Sequence, residues 1–467
     1  MKKKNVVILG GGITGLYLAC CLTQEKGYHV TILERNNHVG GICASFEKDG
    51  ITFDYGPHKI YTTIPGVLDK YKNLLGNDLL TIKKKNSLRL LGKYFEFPVK
   101  MQQMVLGIPF FTGLRCGMSY GFALLKKLIT KNSVTYEDYL LQGFGKVGYD
   151  LLFKDYAWKV WGNPQTLSEE LARKRIPVPS IFSLLKNMIK KQDPSVSADY
   201  FYYPRKGFGQ LTEILRKKIL ASGGKIILEA QATGIRAKGK SVESVSYEHH
   251  KRKKTIPADL VVSTIHITDI PSLFPLVPEH VTRAASQLHH RGLILVYLVV
   301  QKERLFQENW LFFPEKEYIF NRVSEQKSFS TETMPQDKSV IIAEVTATPD
   351  DKRWSMSEKM LIDLVIADLK KADILHGEII LDAFTRRARR IYPIYAIGYK
   401  AHLQTILDFI HTYNNLYTLG RQGLFNYNNT DHCIDMGRKM VDHLLQNKTK
   451  EEWQKTIAYF DSYRIVD

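Results

Sequence analysis

The sequence predicts an α/β fold, with a parallel-sheet domain and a second domain of mixed α+β character. Three observations point there. The N-terminal run NVVIL, GGGITG, LYLACCLTQ reads as strand, glycine turn and helix, and YHVTILE follows as a second strand. Further short apolar strands recur much later, at ADLVVST and LYTLG. At 467 residues the chain is long enough for roughly two or three domains.

Residues 5–9 form a short β-branched apolar run of the kind that is buried in a parallel sheet. Gly10, Gly12 and Gly15 follow in GxGxxG spacing. The first glycine permits the tight turn, the second lets a pyrophosphate approach the backbone, and the third lets helix pack on strand. Glu34 ends the second strand, 19 residues after Gly15, where a carboxylate accepts ribose hydroxyls. The pattern suits NAD or FAD. MKKK before an apolar run also resembles a secretion leader, but Gly10 to Gly12 interrupt it, and strand, turn and helix account for the same letters better.

Composition narrows the class. Hydrophobic residues make up 44% and charged residues 24%, which is ordinary for a globular chain. Lys and Arg number 66 against 47 Asp and Glu, a net charge of +19 that favours anionic partners. The basic clusters Lys83–Lys85, Lys251–Lys254 and Arg386–Arg390 lack interleaved aromatics, so nucleic acid is not expected as a partner. The five cysteines are odd in number and form no CxxC pair, which favours a reducing, cytoplasmic setting over a disulfide scaffold. No metal-ligand spacing and no GxSxG elbow occur, and Cys43 has no base beside it in the sequence.

Glu34-Arg35 leading to Gly40-Gly41 resembles the extension that follows the acidic residue in FAD enzymes of the amine oxidase and protoporphyrinogen oxidase superfamily. FDYGPH, with Gly56, Pro57 and His58, is similar to the segment those proteins run beneath the flavin. YPRKGFGQL, GGKIILEAQATGI with Ala232, and LYTLGRQGLFNYNNTDHCIDMG with Gly420, Arg421 and Asp431 resemble the later FAD-binding segments. Within that frame GPHKIYT, YAWKVWGNP with Trp161, Arg322, AEV at Ala343–Val345, Tyr392-Pro393 and Tyr427 resemble UDP-galactopyranose mutase motifs. Asn429 departs from the mutase pattern, which has an acidic residue there, and YPRKGFGQL reads like the oxidases.

The resemblance implies a Rossmann-like FAD-binding domain built from residues 1–75, 200–268 and 410–446, interleaved with a mixed α+β substrate domain of residues 76–199 and 269–409. Residues 447–467 are expected as a C-terminal tail helix. The 76–199 part is expected to be mostly helical, and 269–409 to supply antiparallel strands such as GLILVYLVV and KSVIIAEVT with a helix at SEKMLIDLVIADLKK. FAD contacts are expected at Gly10, Gly12, Gly15, Glu34, Arg35, Gly40, Gly41, Gly56, Pro57, His58, Ala232, Gly420, Arg421 and Asp431. Trp161, Arg322, Tyr392 and Tyr427 are expected to bind substrate, with Tyr427 an exposed phenol in its Asn-rich turn. His58 and Arg421 are expected to be catalytic.

Residues 104–125 are apolar with a single charge, Arg115, and Lys126, Lys127 and Lys131 follow, so that the possible surface contact extends over 104–131. They read either as a helical hairpin of the substrate domain or as a peripheral contact with the inner membrane face. The expected function is FAD-dependent oxidoreduction of an anionic small molecule by hydride transfer to flavin N5, the substrate being a nucleotide sugar or a carboxylated or lipid-linked molecule. A flavin-dependent, mutase-like isomerase is the alternative, and a non-catalytic flavoprotein that docks on membrane is a third reading.

Overall fold

The computed structural model describes residues 3–98, 103, 107–129, 132–176 and 199–465. Its parallel sheet has five strands, in the spatial order Leu416–Thr418, Leu260–Ser263, Lys4–Leu9, Tyr28–Leu33 and Lys225–Ile227. Numbered along the chain this is 5-4-1-2-3, the dinucleotide-fold order, and every neighbouring pair is parallel. The strand order reverses between Lys4–Leu9 and Leu260–Ser263, which leaves a crevice at their carboxyl ends. The sheet therefore draws its strands from three distant segments of the chain.

A second sheet has seven strands, ordered Ile380–Pro393, His290–Val300, Ser339–Ala347, Arg322–Glu325, Trp310–Phe312, Asn86–Leu90 and Lys93–Glu96. All eleven residues of His290–Val300 are buried, because both faces of that strand are covered. Ile294, Val296, Leu298 and Val300 pack with Leu361, Val365 and Leu369 of the helix Glu358–Lys371. The alternate residues Leu293, Leu295, Tyr297 and Val299 pack with Ile51 and Phe53 of the hairpin Ser45–Asp54. The period-two alternation of one strand thus joins the two domains.

A buried carboxylate pins that hairpin. Asp54 accepts from Ser45 Oγ at 2.5 Å, from the Tyr203 hydroxyl and from the Phe208 N–H at 3.0 Å. Tyr203 and Phe208 belong to YPRKGFGQL, so this segment returns the chain to the parallel sheet through a side-chain anchor. Burial pushes the Asp54 carboxyl up to about 6, against the lowering effect of these donors.

Most described residues of 76–199 are helical, as expected, but the segment opens on strands that were not expected. Leu79–Lys83 pairs antiparallel with Tyr200–Pro204, and Asn86–Leu90 pairs parallel with Trp310–Phe312. Both pairings join segments over 100 residues apart, which local periodicity cannot foretell. Helices begin afterwards, at Phe110–Ile129, Tyr136–Tyr149, Asp155–Val160 and Glu169–Arg175. The helical hairpin read within 104–125 is instead formed by Phe110–Ile129 with Tyr136–Tyr149; residues 104–106, 130 and 131 of the proposed membrane contact lie outside the described residues. Among the described residues, no helix is long and apolar enough to cross a membrane. The last helix is Lys450–Phe460.

Candidate active site

A cavity of about 2560 Å³ lies between the two sheets. A drug-sized ligand occupies roughly 300–1,000 Å³, so this space suits a dinucleotide together with a second molecule.

Its inner end is the crevice at the strand reversal, lined by Leu9, Gly10, Thr264 and Ile265. Gly10 turns at φ +100°, and a Cβ there would stand 2.6 Å from Thr264 Oγ1. A Cβ on Gly15 would stand 2.3 Å from the Gly10 carbonyl oxygen, so this glycine lets helix Ile13–Leu22 pack on the strand. Gly12 differs: nothing lies within 4 Å of the Cβ it lacks. It lines the cavity with Gly40 and Gly41, and the Gly40 N–H donates to the Gly11 carbonyl at 2.7 Å. No side chain caps the first turn of Ile13–Leu22, and no acidic residue sits in it. Its leading amides are left for an anion. This open glycine cradle under a helix N-terminus fits the pyrophosphate of a dinucleotide.

Glu34 is 6% exposed and lines the same end. Its oxygens accept from the Gly11 N–H at 2.7 Å and the Asn36 N–H at 2.8 Å. Each oxygen keeps a lone pair, so the residue braces the turn and remains able to accept ribose hydroxyls. Arg35 and Ala232 line the cavity beside it.

The Gly56–His58 turn forms another wall. Gly56 has φ +88°, and its carbonyl meets His58 Nδ1 at 3.0 Å. A carbonyl only accepts, so Nδ1 carries the proton and Nε2 holds the lone pair. Burial, opposed by the raising effect of the Gly56 carbonyl and aided by Arg322 and Arg421, lowers the imidazole pKa to about 4. His58 is therefore neutral at pH 7. Its unfolded-state pKa lies near 6.5, so between about 4 and 6.5 the unfolded chain binds the extra proton and acid erodes this residue's contribution to stability. Flavin-free His58→Asn should accordingly lose less stability than wild type between pH 7 and pH 5, as thermal midpoints would record. Parallel losses would contradict the depressed pKa.

Arg421 is held in the wall. It donates to the Asn428 carbonyl at 3.0 Å and the Ile391 carbonyl at 3.3 Å, and lies 5.8 and 5.5 Å from the Tyr392 and Tyr427 rings. Among the described residues its buried Nε has no hydrogen-bond partner within ordinary distance, nor has the buried Nε1 of Trp161 beside the Tyr427 hydroxyl, and both residues line the cavity. Two orphan donors on one wall suit an acceptor-rich ligand.

Other expected residues stand differently from the sequence reading. Tyr427 is 3% exposed, not an exposed phenol, and its hydroxyl donates to the Pro393 carbonyl. It stacks on Tyr392, so it presents a ring edge and a shaped wall more than a free hydroxyl. Arg322 is committed to Glu344 by two contacts, Nε to Oε1 at 2.6 Å and Nη2 to Oε2 at 2.9 Å, which offsets its charge. Gly420 packs behind the wall, where a Cβ would stand 2.9 Å from Thr14 Oγ1, and does not line the cavity. Asp431 does not line it either; it is 5% exposed and burial raises its pKa.

The largest omission from the sequence reading is the basic strand. Every residue of Arg386–Arg390 lines the cavity. A register slip opposite Gly292 breaks the alternation there, so residues of both parities reach one space. Arg390 pairs with Asp269 through two 2.6 Å contacts, whereas exposed Arg389 has no protein partner among the described residues. Arg175 also lines the cavity, 5.0 Å from the Tyr427 ring. In all, nine Lys and Arg line the cavity against three carboxylates. The run TRRARR was visible in the sequence, but strand alternation alone would have sent half of it to the opposite face.

Comparison with known proteins agrees with this geometry. A family model for flavin containing amine oxidoreductase matches residues 118–383, and one for an NAD(P)-binding Rossmann-like domain matches residues 8–74. A probable UDP-galactopyranose mutase of Klebsiella pneumoniae is 28% identical over 188 residues, which cover 38% of this chain and 46% of that protein. A 4,4'-diaponeurosporene oxygenase of Staphylococcus aureus (strain USA300) is 37% identical over 84 residues, covering 17% of this chain and 16% of that protein. The matched stretches thus span less than half the length of these curated relatives. Among solved structures, reduced UDP-galactopyranose mutase superposes with a TM-score of 0.84 at 20% identity, covering 99% of this chain and 100% of that one. A putative protoporphyrinogen oxidase from Exiguobacterium sp. 255-15 gives 0.73 at 19% identity, covering 96% and 100%. These structural likenesses are likenesses of fold.

Proposed function

The chain belongs to the flavin-containing amine oxidoreductases, and from that membership we propose that it is an FAD-dependent oxidoreductase acting on an anionic small molecule of the nucleotide-sugar class. The observation that carries the substrate class is the excess of nine cations over three carboxylates around a cavity too large for a dinucleotide alone. Gly10, Gly12, Gly41 and the start of Ile13–Leu22 would hold the FAD pyrophosphate, and Glu34 its ribose. When bound, the flavin supplies a hydride acceptor or donor at N5.

The chain's own groups do the rest. Trp161 Nε1 and Arg421 would bind and orient the anionic part of the substrate beside the Tyr392 and Tyr427 rings. The neutral His58 offers Nε2 as a base for a substrate hydroxyl, and its Nδ1–H bond to Gly56 keeps that tautomer and ring orientation. Because burial holds its pKa down at about 4, kcat/KM should show no limb near pH 6.5 and should fall only as pH approaches 4. A limb near 6.5 that disappears in His58→Asn would contradict the environment assigned to it.

A second reading is isomerisation of a UDP-sugar without net redox change. It is favoured by the grouping of Trp161, Arg322, Tyr392, Arg421 and Tyr427 around one cavity, the mutase-like set. Anaerobic mixing separates the two. The oxidoreductase is bleached by its substrate alone, in a panel of nucleotide sugars followed by stopped-flow absorbance. Interconversion of UDP-galactopyranose and UDP-galactofuranose by dithionite-reduced enzyme, with no bleaching by any compound, would replace the first reading with the second.

A further inference from the structure

The helix Phe110–Ile129 carries its apolar stripe on the outside. Phe110 is 76% exposed, Phe111 76%, Leu114 50%, Met118 54%, Phe122 74% and Leu125 62%. At the helical repeat these six residues cover an arc of roughly 120°. The small and polar residues Thr112, Cys116, Ser119 and Ala123 occupy the half-buried side. A surface helix of a globular protein normally does the reverse.

Packing fixes this rotation. Ser119 Oγ accepts from the Val147 N–H at 3.1 Å. The helix also meets Tyr136–Tyr149 so closely that a Cβ on Gly145 would stand 2.5 Å from the Ser119 carbonyl oxygen. Turning the phenylalanines inward would drive side chains into that contact. The stripe is therefore held outward by the fold, and no described residue covers it.

Charge says what covers it. Arg115 and Lys126 lie along one edge of the stripe, about 20–40° beyond Phe122 on the helical wheel. From residue 97 to residue 136 the sequence has five Lys and Arg and no Asp or Glu. A second copy seated on the stripe would set two Arg115 edges side by side, within a stretch of sequence that carries no carboxylate in either copy. An anionic lipid surface offsets them directly.

We propose that this helix docks the protein on an anionic phospholipid bilayer. The helix lies in the interface plane, with its six apolar side chains at the acyl boundary and Arg115 and Lys126 among the headgroup phosphates. It does not span. Docking also sets the cavity close to the bilayer, because the neighbouring helix supplies Phe144 and the following turn supplies Leu152 and Phe153 to the cavity wall. The proposal goes beyond the reading of the cavity and stands whether or not that reading holds.

The test is co-sedimentation of the full-length FAD-loaded protein with vesicles of equimolar phosphatidylcholine and phosphatidylglycerol, and with phosphatidylcholine alone. Wild type should pellet with the anionic vesicles at low salt and much less with the neutral ones. Phe111→Asp/Phe122→Asp should lower the partition coefficient on the order of a hundredfold, with FAD content unchanged because both side chains are exposed. Arg115→Glu/Lys126→Glu should abolish the preference for anionic vesicles. Wild type remaining in the supernatant with anionic vesicles would overturn the proposal, as would pelleting of the double Phe variant at the wild-type level. Light scattering that finds a dimer split by Phe111→Asp, without vesicle binding, would assign the stripe to a second copy and overturn it equally.

Discussion

Gly12→Val should yield a folded, colourless protein. Gly12 has φ −72° and ψ 175°, an extended conformation that valine adopts without strain. Nothing lies within 4 Å of the position its Cβ would take, so the side chain starts into open space. It enters the cavity beneath the N-terminus of Ile13–Leu22, where the FAD pyrophosphate must approach the backbone. Loss of that approach should weaken FAD binding on the order of a thousandfold or more, about 4 kcal/mol. Flavin absorbance and heat-released FAD would measure it, and the thermal midpoint should match flavin-free wild type. Gly15→Val should behave differently. Its Cβ would press on the Gly10 carbonyl at 2.3 Å, a backbone atom that cannot step aside, so the helix loses its seat and the protein its solubility. A yellow Gly12→Val protein with wild-type FAD content would refute the placement of the cofactor.

Arg322→Ala should be felt first in stability. Glu344 is 1% exposed and receives two contacts from this guanidinium, whose own side chain is 24% exposed. Removing the arginine strands a buried carboxylate, at a cost of about 3–5 kcal/mol. Glu344→Ala strands the cation instead and should cost a similar amount. The double variant Arg322→Ala/Glu344→Ala should lose clearly less than the sum of the two, because neither charge is then left alone. Unfolding midpoints of the four proteins complete the cycle. Additive losses, or Arg322→Ala at wild-type stability with weakened anion binding, would make Arg322 a free anion ligand and not the partner of Glu344.

Much of the candidate nucleotide end is legible in the sequence. Gly10, Gly12, Gly15 and Glu34 lie within one local stretch, and their roles depend on turn geometry and strand-helix packing that short-range sequence encodes. The substrate end was less legible. Trp161, Arg322, Tyr392, Arg421 and Tyr427 were picked out by resemblance and do line one cavity. The state of each depended on partners distant in sequence: Glu344 for Arg322, the Pro393 carbonyl for Tyr427, and the Ile391 and Asn428 carbonyls for Arg421. Gly420 and Asp431 sat in the right motif but behind the wall, against Thr14 and within the buried helix start.

The sequence by itself determined the α/β class, the strand, glycine turn and helix at the N-terminus, and the basic character of the chain, because each follows from local spacing or from composition. Tertiary structure alone decided which face of each element is covered. It placed the Asn86–Leu90 strand beside Trp310–Phe312, brought Arg386 to Arg390 to one cavity through a register slip, and turned the phenylalanines of Phe110–Ile129 outward through the contact of Ser119 with Gly145. Periodicity specifies that a strand or helix has two unlike faces. The side that meets protein is set by contacts between residues far apart in the chain, whose free energy no local window of sequence contains.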